Sequence, residues 1–186
     1  VIADSSQEMT KLGVLKLSMN DLEGLADLEK AVEIDPELPM AKIALAAAYI
    51  QNKDYGKALG LAKQWKESHP NQVEGYNLAA KVLLIQNQVD KAEQELTQAL
   101  TLNENNAYSR LYFANKYLSN KQPEEALKQL ESIFSVSPEH FAALQLNYRA
   151  HKAMASEASA INKIEQSFNN NPNNLAYREL YARVLF

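Results

Sequence analysis

The chain has 186 residues, 46% hydrophobic and 23% charged, which is the balance of an ordinary folded protein with length for one substantial domain. It has no cysteine, which excludes disulfides, thiolate metal sites and cysteine nucleophiles but leaves the compartment open. Its net charge of −4 is spread over interspersed acids and bases, which argues against a nucleic-acid binder, and no run approaches the roughly 18 apolar residues of a membrane span.

Five glycines and six prolines among abundant Ala, Leu, Lys, Gln and Glu favour helix. A first segment, about 5–38, carries Gly13 and Gly24 and closes on "EIDPELP". In 39–72, "PMAKIALAAAYIQN" is apolar at Ile43, Leu45, Ala46, Tyr49 and Ile50, on helical spacing. "KDY" breaks that pattern, and "GKALGLAKQWKESH" follows as a second amphipathic helix. Residues 73–106 repeat the plan as "VEGYNLAAKVLLIQN", "QVD" and "KAEQELTQALTLN". Residues 107–140 run "AYSRLYFANKYLSN", "KQP" and "EEALKQLESIFSVS", with Pro123 placed to open a helix because a first-turn residue needs no amide bond. Block 141–174 contains "HKAMASEAS", which lacks the usual turn residues, so it is expected to be the least regular, with a bend. A half-block, 175–186, follows. Both ends look cut, since Val1 is no initiator Met and "LYARVLF" stops inside an apolar pattern.

These blocks are one repeat. Pro36, Pro70, Pro138 and Pro172 lie on a 34-residue grid whose vacant slot holds Glu104. Each ends a second helix and turns the chain back. Ala46, Ala80 and Ala114 share another grid line, Ala58, Ala92, Ala126 and Ala160 a third, and Leu96 and Leu130 a fourth. The small residues form pairs across each helix couple, with Gly13 and Gly24 serving the first, and imply close backbone crossings. Trp65 stands where the grid has Ala99, so its helix should be held off its neighbour. Tyr148 replaces the small residue opposite Ala160.

Those small pairs, with Tyr49, Tyr117, Leu96, Leu130, Ala99 and the terminal prolines, resemble the pattern of the tetratricopeptide repeat (TPR) family over essentially the whole chain. The resemblance implies an all-α, right-handed superhelical solenoid of antiparallel helix pairs, its concave groove lined by the first helix of each. More narrowly, the run from "LEGLADLEKAVEIDPELP" through "YNLAAKVLLIQNQVDKAEQELTQAL" resembles the TPR lipoproteins of bacterial PEP-CTERM/exosortase sorting systems. That likeness implies an extracytoplasmic setting in surface-protein and exopolysaccharide export; without it the compartment is open, with the cytoplasm as default.

Catalysis is not expected. His69 and His140 fall at interhelix turns and His151 is solitary, without metal-site spacing, and no glycine loop would cradle a phosphate. No cofactor follows. Function is expected on the groove, whose columns can be written from the family's inward-facing positions. One is Ala47, Lys81, Asn115, Arg149 and Arg183; a second is Ile43, Asn77, Leu111, Gln145 and Glu179. A third is Met40, Glu74, Tyr108, Ala142 and Ala176, and a more ambiguous fourth ends at Lys152.

Asn77 and Asn115 suit the backbone of an extended peptide, and Tyr108 and Leu111 an apolar side chain. Lys81, Arg149, Lys152 and Arg183 suit an acidic segment through charge-assisted bonds, although the same charges also serve to keep a groove soluble. The expected partner is therefore a protein or peptide, with no nucleic acid and no membrane contact. The family's chaperone-gripping clamp needs a Lys and an Asn in an early repeat, and Ile43 and Ala47 occupy the corresponding positions, which argues against that role. Tyr49, Tyr76 and Tyr117 fit core positions, whereas Tyr177, Tyr181, Leu185 and Phe186 are expected to leave an apolar end open to dimerisation. The alternative function is a regulatory repeat region of an enzyme whose catalytic domain lies outside these residues.

Overall fold

A computed structural model of the chain describes the backbone of residues 2–185 and the side chains of 5–185. The described residues form α-helices and no strand. The helices are α1 (Ile2–Ser18), α2 (Glu23–Ile34), α3 (Pro39–Gln51), α4 (Tyr55–Ser68), α5 (Glu74–Ile85) and α6 (Val89–Leu102), then α7 (Ala107–Ser119), α8 (Pro123–Val136), α9 (Phe141–Ala153), α10 (Ala158–Asn170) and α11 (Leu175–Leu185). They pack into two compact units that divide at Gln98/Ala99, inside α6. Pro39 and Pro123 each sit in the first turn of a helix, where the missing amide proton costs no bond.

The turns inside the helix pairs share one backbone. Asn20, Lys53, Asn87, Lys121 and Ala155 all have φ between 52° and 62°, the left-handed region. The amide after each reaches back five residues to a helix carbonyl, as in Asp54 N to Tyr49 O at 2.8 Å and Ser156 N to His151 O at 2.9 Å. These are Schellman closures, which satisfy carbonyls that the helix end leaves without partners. The fifth turn therefore conforms, although Ala155 offers none of the residues that favour it. The bend expected there is not seen in this turn, and Tyr148 packs against the Leu144–Leu180 cluster.

The turns between pairs repeat as faithfully. Leu38 N bonds Asp35 O, Gln72 N bonds His69 O, Asn106 N bonds Asn103 O, His140 N bonds Ser137 O and Asn174 N bonds Asn171 O, at 3.0–3.3 Å. Each is a four-residue β-turn whose second position is the proline grid line, where a fixed φ near −65° fits and no amide donor is needed. Glu104 occupies that position in the Asn103–Asn106 turn.

In the first unit α1 packs on α2, α2 on α3, α3 on α4 and α4 on α5, while α1 also lies beside α3. The core gathers Leu28, Leu45, Ala58, Ala62, Trp65 and Val82. The Gly13–Gly24 crossing is as close as the paired glycines imply. A Cβ on Gly13 would lie 2.8 Å from the Gly24 carbonyl oxygen, and one on Gly24 would collide with the Gly13 carbonyl. Gly75 marks a further crossing, where an added Cβ would meet Lys66 N on α4 at 3.0 Å. Hence Trp65 does not hold α4 away from α5, contrary to expectation. The indole is buried instead, its Nε1 donating to Gln72 Oε1 at 3.3 Å with the Lys42 ammonium 5.1 Å from the ring centre.

In the second unit α7 packs on α8, α8 on α9, α9 on α10 and α10 on α11, and α7 lies beside α9. Ala114, Ala126, Leu130, Ile133 and Ala143 form one core cluster. Leu144, Ile164, Leu180 and Val184 form another. Tyr177 and Tyr181 belong to this packing and are not the open apolar end expected of them. Tyr177 Oη donates to Glu139 O and Tyr181 Oη to Glu165 Oε1, both at 2.6 Å, and their rings meet Phe141 and Phe168 with centroids 5.5 Å apart. Leu175 and Leu185 are exposed, and Phe186 lies outside the described residues.

Candidate partner-binding surface

Ten residues were singled out for a groove, and they divide between the units. Asn77 and Lys81 lie on α5 in the first unit. Lys81 is exposed, but the amide oxygen of Asn77 is buried without a hydrogen-bond partner, so it is not offered to a ligand as expected. The other eight lie on α7, α9 and α11 of the second unit.

There the structure brings four of them together. Gln145, Arg149, Lys152 and Arg183 line a hollow of about 480 Å³ between α9 and α11, whose apolar wall is Leu146, Tyr148 and Leu180. Helical spacing explains the α9 set, since positions three and four apart share a face. Arg183 joins because it holds the same grid position on α11 as Arg149 does on α9. Among the described residues, none of those lining the hollow is acidic.

Asn115 is outside the hollow but acts on it. Its Oδ1 accepts from Arg149 Nη1 at 3.1 Å, linking consecutive positions of one column across α7 and α9. The guanidinium is thereby oriented while its remaining donors stay available. Lys152 stands over the Tyr148 ring with its Nζ 5.8 Å from the centroid, a cation–π arrangement that keeps the ammonium at the rim.

The remaining residues fall elsewhere. Leu111 packs on the Ala114–Leu130 core, so it is partly a structural residue. Tyr108 is 38% exposed, and burial of the rest pushes its hydroxyl above the usual tyrosine range. Glu179 is exposed on α11 and does not line the hollow. Leu146, Tyr148 and Leu180 were missed. Tyr148 gave a signal in being a large residue on the Ala46–Ala80–Ala114 grid line, but it points to a packing defect as readily as to a recess.

The histidines are engaged in structure. His69 Nε2 meets Glu37 Oε2 at 2.7 Å, His140 Nδ1 accepts from Ala143 N at 3.4 Å at the start of α9, and His151 meets Ser156 Oγ at 3.1 Å. Among the described residues no cluster of three or more His, Asp or Glu has metal-binding geometry. Nor is any helix of theirs long and apolar enough to cross a membrane.

Comparison with known proteins points one way. Residues 23–82 and 83–148 match the family described as tetratricopeptide repeat. Over 85 residues the chain is 32% identical to anaphase-promoting complex subunit 3 of Dictyostelium discoideum, an alignment covering 46% of this chain and 9% of that protein. The chain thus spans less than a tenth of that relative. Among solved structures, yeast Tom70 superposes with a TM-score of 0.79 at 20% identity, over 97% of this chain and 39% of that one. A thermophilic TPR protein of Thermus thermophilus gives 0.70 at 19% identity, over 97% and 98%. YrrB, described as a TPR protein with an unusual peptide-binding site, gives 0.53 at 21% identity, over 92% and 89%. At such identities the likeness is one of fold, a solenoid of helix pairs.

Proposed function

We propose, from the tetratricopeptide repeat family to which this chain belongs, that it holds an extended acidic segment of a partner protein on its α9–α11 face. An interaction scaffold is the role that this family's repeats support. We read residues 5–174 as five repeats with a half-repeat after them. A single observation carries the assignment to this face: Arg149, Lys152 and Arg183 surround one recess with an apolar wall and no lining carboxylate. A solubilising role would need only scattered charge, whereas convergence on a partly apolar recess suits a ligand with carboxylates and a backbone to cover. The sequence resemblance to PEP-CTERM-associated lipoproteins adds surface-protein export as the setting in which the partner is sought.

The test is affinity capture from lysate of the source cells, comparing the native chain with Arg149→Glu/Arg183→Glu. Both arginines are exposed, so the variant is expected to keep its melting temperature. A partner retained by the first and lost by the second supports the assignment. Equal recovery removes it and leaves the arginines as solubilising charge.

A further inference from the structure

Elsewhere in this chain lysines find carboxylates. Lys16, Lys57 and Lys66 meet Asp27, Glu29 and Glu95 of other helices at 2.6–3.1 Å. Lys63 and Lys128 pair within their own helices, with Glu67 at 3.7 Å and Glu125 at 2.7 Å. Around the α9–α11 hollow the habit changes. Arg149 is held by a neutral amide, Asn115, and Lys152 stands over the Tyr148 ring. Among the described residues no carboxylate pairs with Arg149, Lys152 or Arg183.

One carboxylate is nevertheless within reach of Arg183. Glu179 lies four residues before it on α11, and positions four apart on a helix have Cβ atoms about 5–6 Å from each other. Acid first and base second is also the favourable order for such a pair. Yet Arg183 lines the hollow, while Glu179 is exposed and does not. The other rungs of the column carry no such neighbour. Four residues before Arg149 stands Gln145, before Asn115 Leu111, and before Lys81 Asn77. Before Lys152 stands Tyr148, whose ring it meets.

Arg183 therefore has two alternatives with opposite consequences. Turned to the hollow, it adds a third cation to the recess. Turned one helical turn back, it is neutralised by Glu179. An exposed pair of this kind is weak, so a ligand carboxylate is able to displace Glu179. Arg149 and Lys152 have no acid three or four residues away on α9, so their side of the recess stays cationic.

We infer that Glu179 is an internal competitor that withholds Arg183 until a ligand carboxylate displaces it. The partner's acidic segment is anchored on α9 by Arg149 and Lys152, and a further acid gains Arg183 only at the expense of Glu179. This rests on the proposed function and adds a regulating residue to it.

Fluorescence anisotropy on the intact chain tests the competition. The probe is a labelled Gly/Ser peptide bearing several glutamates and a leucine, with its glutamine counterpart as control. Glu179 and Arg183 are exposed, so their variants are expected to keep the native melting temperature. Glu179→Gln should tighten binding of the glutamate peptide about two- to fivefold, because Arg183 is then free at all times. At about 0.15 M salt a merely repelling charge is largely screened. The gain should therefore disappear in an Arg183→Gln background. It should persist in Arg149→Gln, which itself binds about tenfold more weakly. No gain, an equal gain with Arg183→Gln, or a gain lost with Arg149→Gln overturns the inference and leaves an acid-binding face standing. Absence of glutamate-dependent binding by the native chain and every variant overturns both the inference and the proposed function.

Discussion

Lys53, Lys121 and Ala155 adopt a backbone conformation that costs an L-residue with a Cβ roughly 1–2 kcal/mol, and that asparagine, as at Asn20 and Asn87, tolerates better. Glycine would remove that cost and return part of the gain as unfolded-chain entropy. Ala155→Gly is therefore expected to stabilise the protein by about 0.5–1 kcal/mol in denaturant titration, and Asn87→Gly to change it less. If Ala155→Gly is destabilising, the left-handed turn at this position is refuted. The proline grid supplies the complementary case. Glu104 fills the second position of a β-turn whose four counterparts hold proline, so Glu104→Pro should add about 0.4–1 kcal/mol. A lower melting temperature for that variant would show that the third interpair turn departs from the others.

Helix pairing depends on what is missing at the crossings. Ala92 is fully buried, and Ala92→Leu would force side chains into a space that has none, at roughly 1–3 kcal/mol. Gly24→Ala should cost at least as much, because its new Cβ meets the Gly13 carbonyl and the Leu17 amide, backbone that cannot swing aside, as well as the Leu17 side chain. Thermal unfolding of both variants checks this, and an unchanged midpoint for Ala92→Leu would sink the crossing.

These small residues, like the prolines, were legible in the sequence because they recur and so identify themselves by position. Features that break the recurrence were not. Gly75 has no glycine 34 residues on either side, and its role appears only where α4 and α5 touch. The left-handed turns escaped notice because lysine and alanine do not advertise that conformation. The groove was half legible. Columns counted at 34-residue steps reached Arg149 and Arg183, but whether an individual side chain faces ligand or core is decided by packing, as Leu111 and Asn77 show.

For the molecule as a whole, two glutamates tie distant segments together and make stability depend on acidity. Glu29 Oε1 accepts from Tyr49 Oη at 2.8 Å and Lys57 Nζ at 3.1 Å, and these bonds hold its carboxyl below the ordinary value of 4.5. Glu139 is lowered in the same direction by Asn170 and Asn171. A carboxyl lowered on folding stabilises the native state fully above its unfolded value and loses that contribution as pH falls through its folded value. Melting temperature should thus hold steady above about pH 5 and decline below about pH 4.5, and Glu29→Gln should make that decline shallower. An identical acid limb in the variant would exclude Glu29 as a contributor.

The recurrence of one left-handed torsion has a consequence for how the chain can be edited. Lys121 and Ala155 share φ near 59° and 52°, and each is followed by an amide closing the same five-residue return. Removing residues 122–155 would join Lys121 to Ser156 across a junction already built for such a pair of neighbours. Excision at this spacing should leave a continuous, foldable chain one repeat shorter, whereas a cut a few residues longer or shorter would turn every following apolar stripe towards water. Length, in a molecule of this kind, is a quantity that can be changed in whole steps without redesigning a single loop.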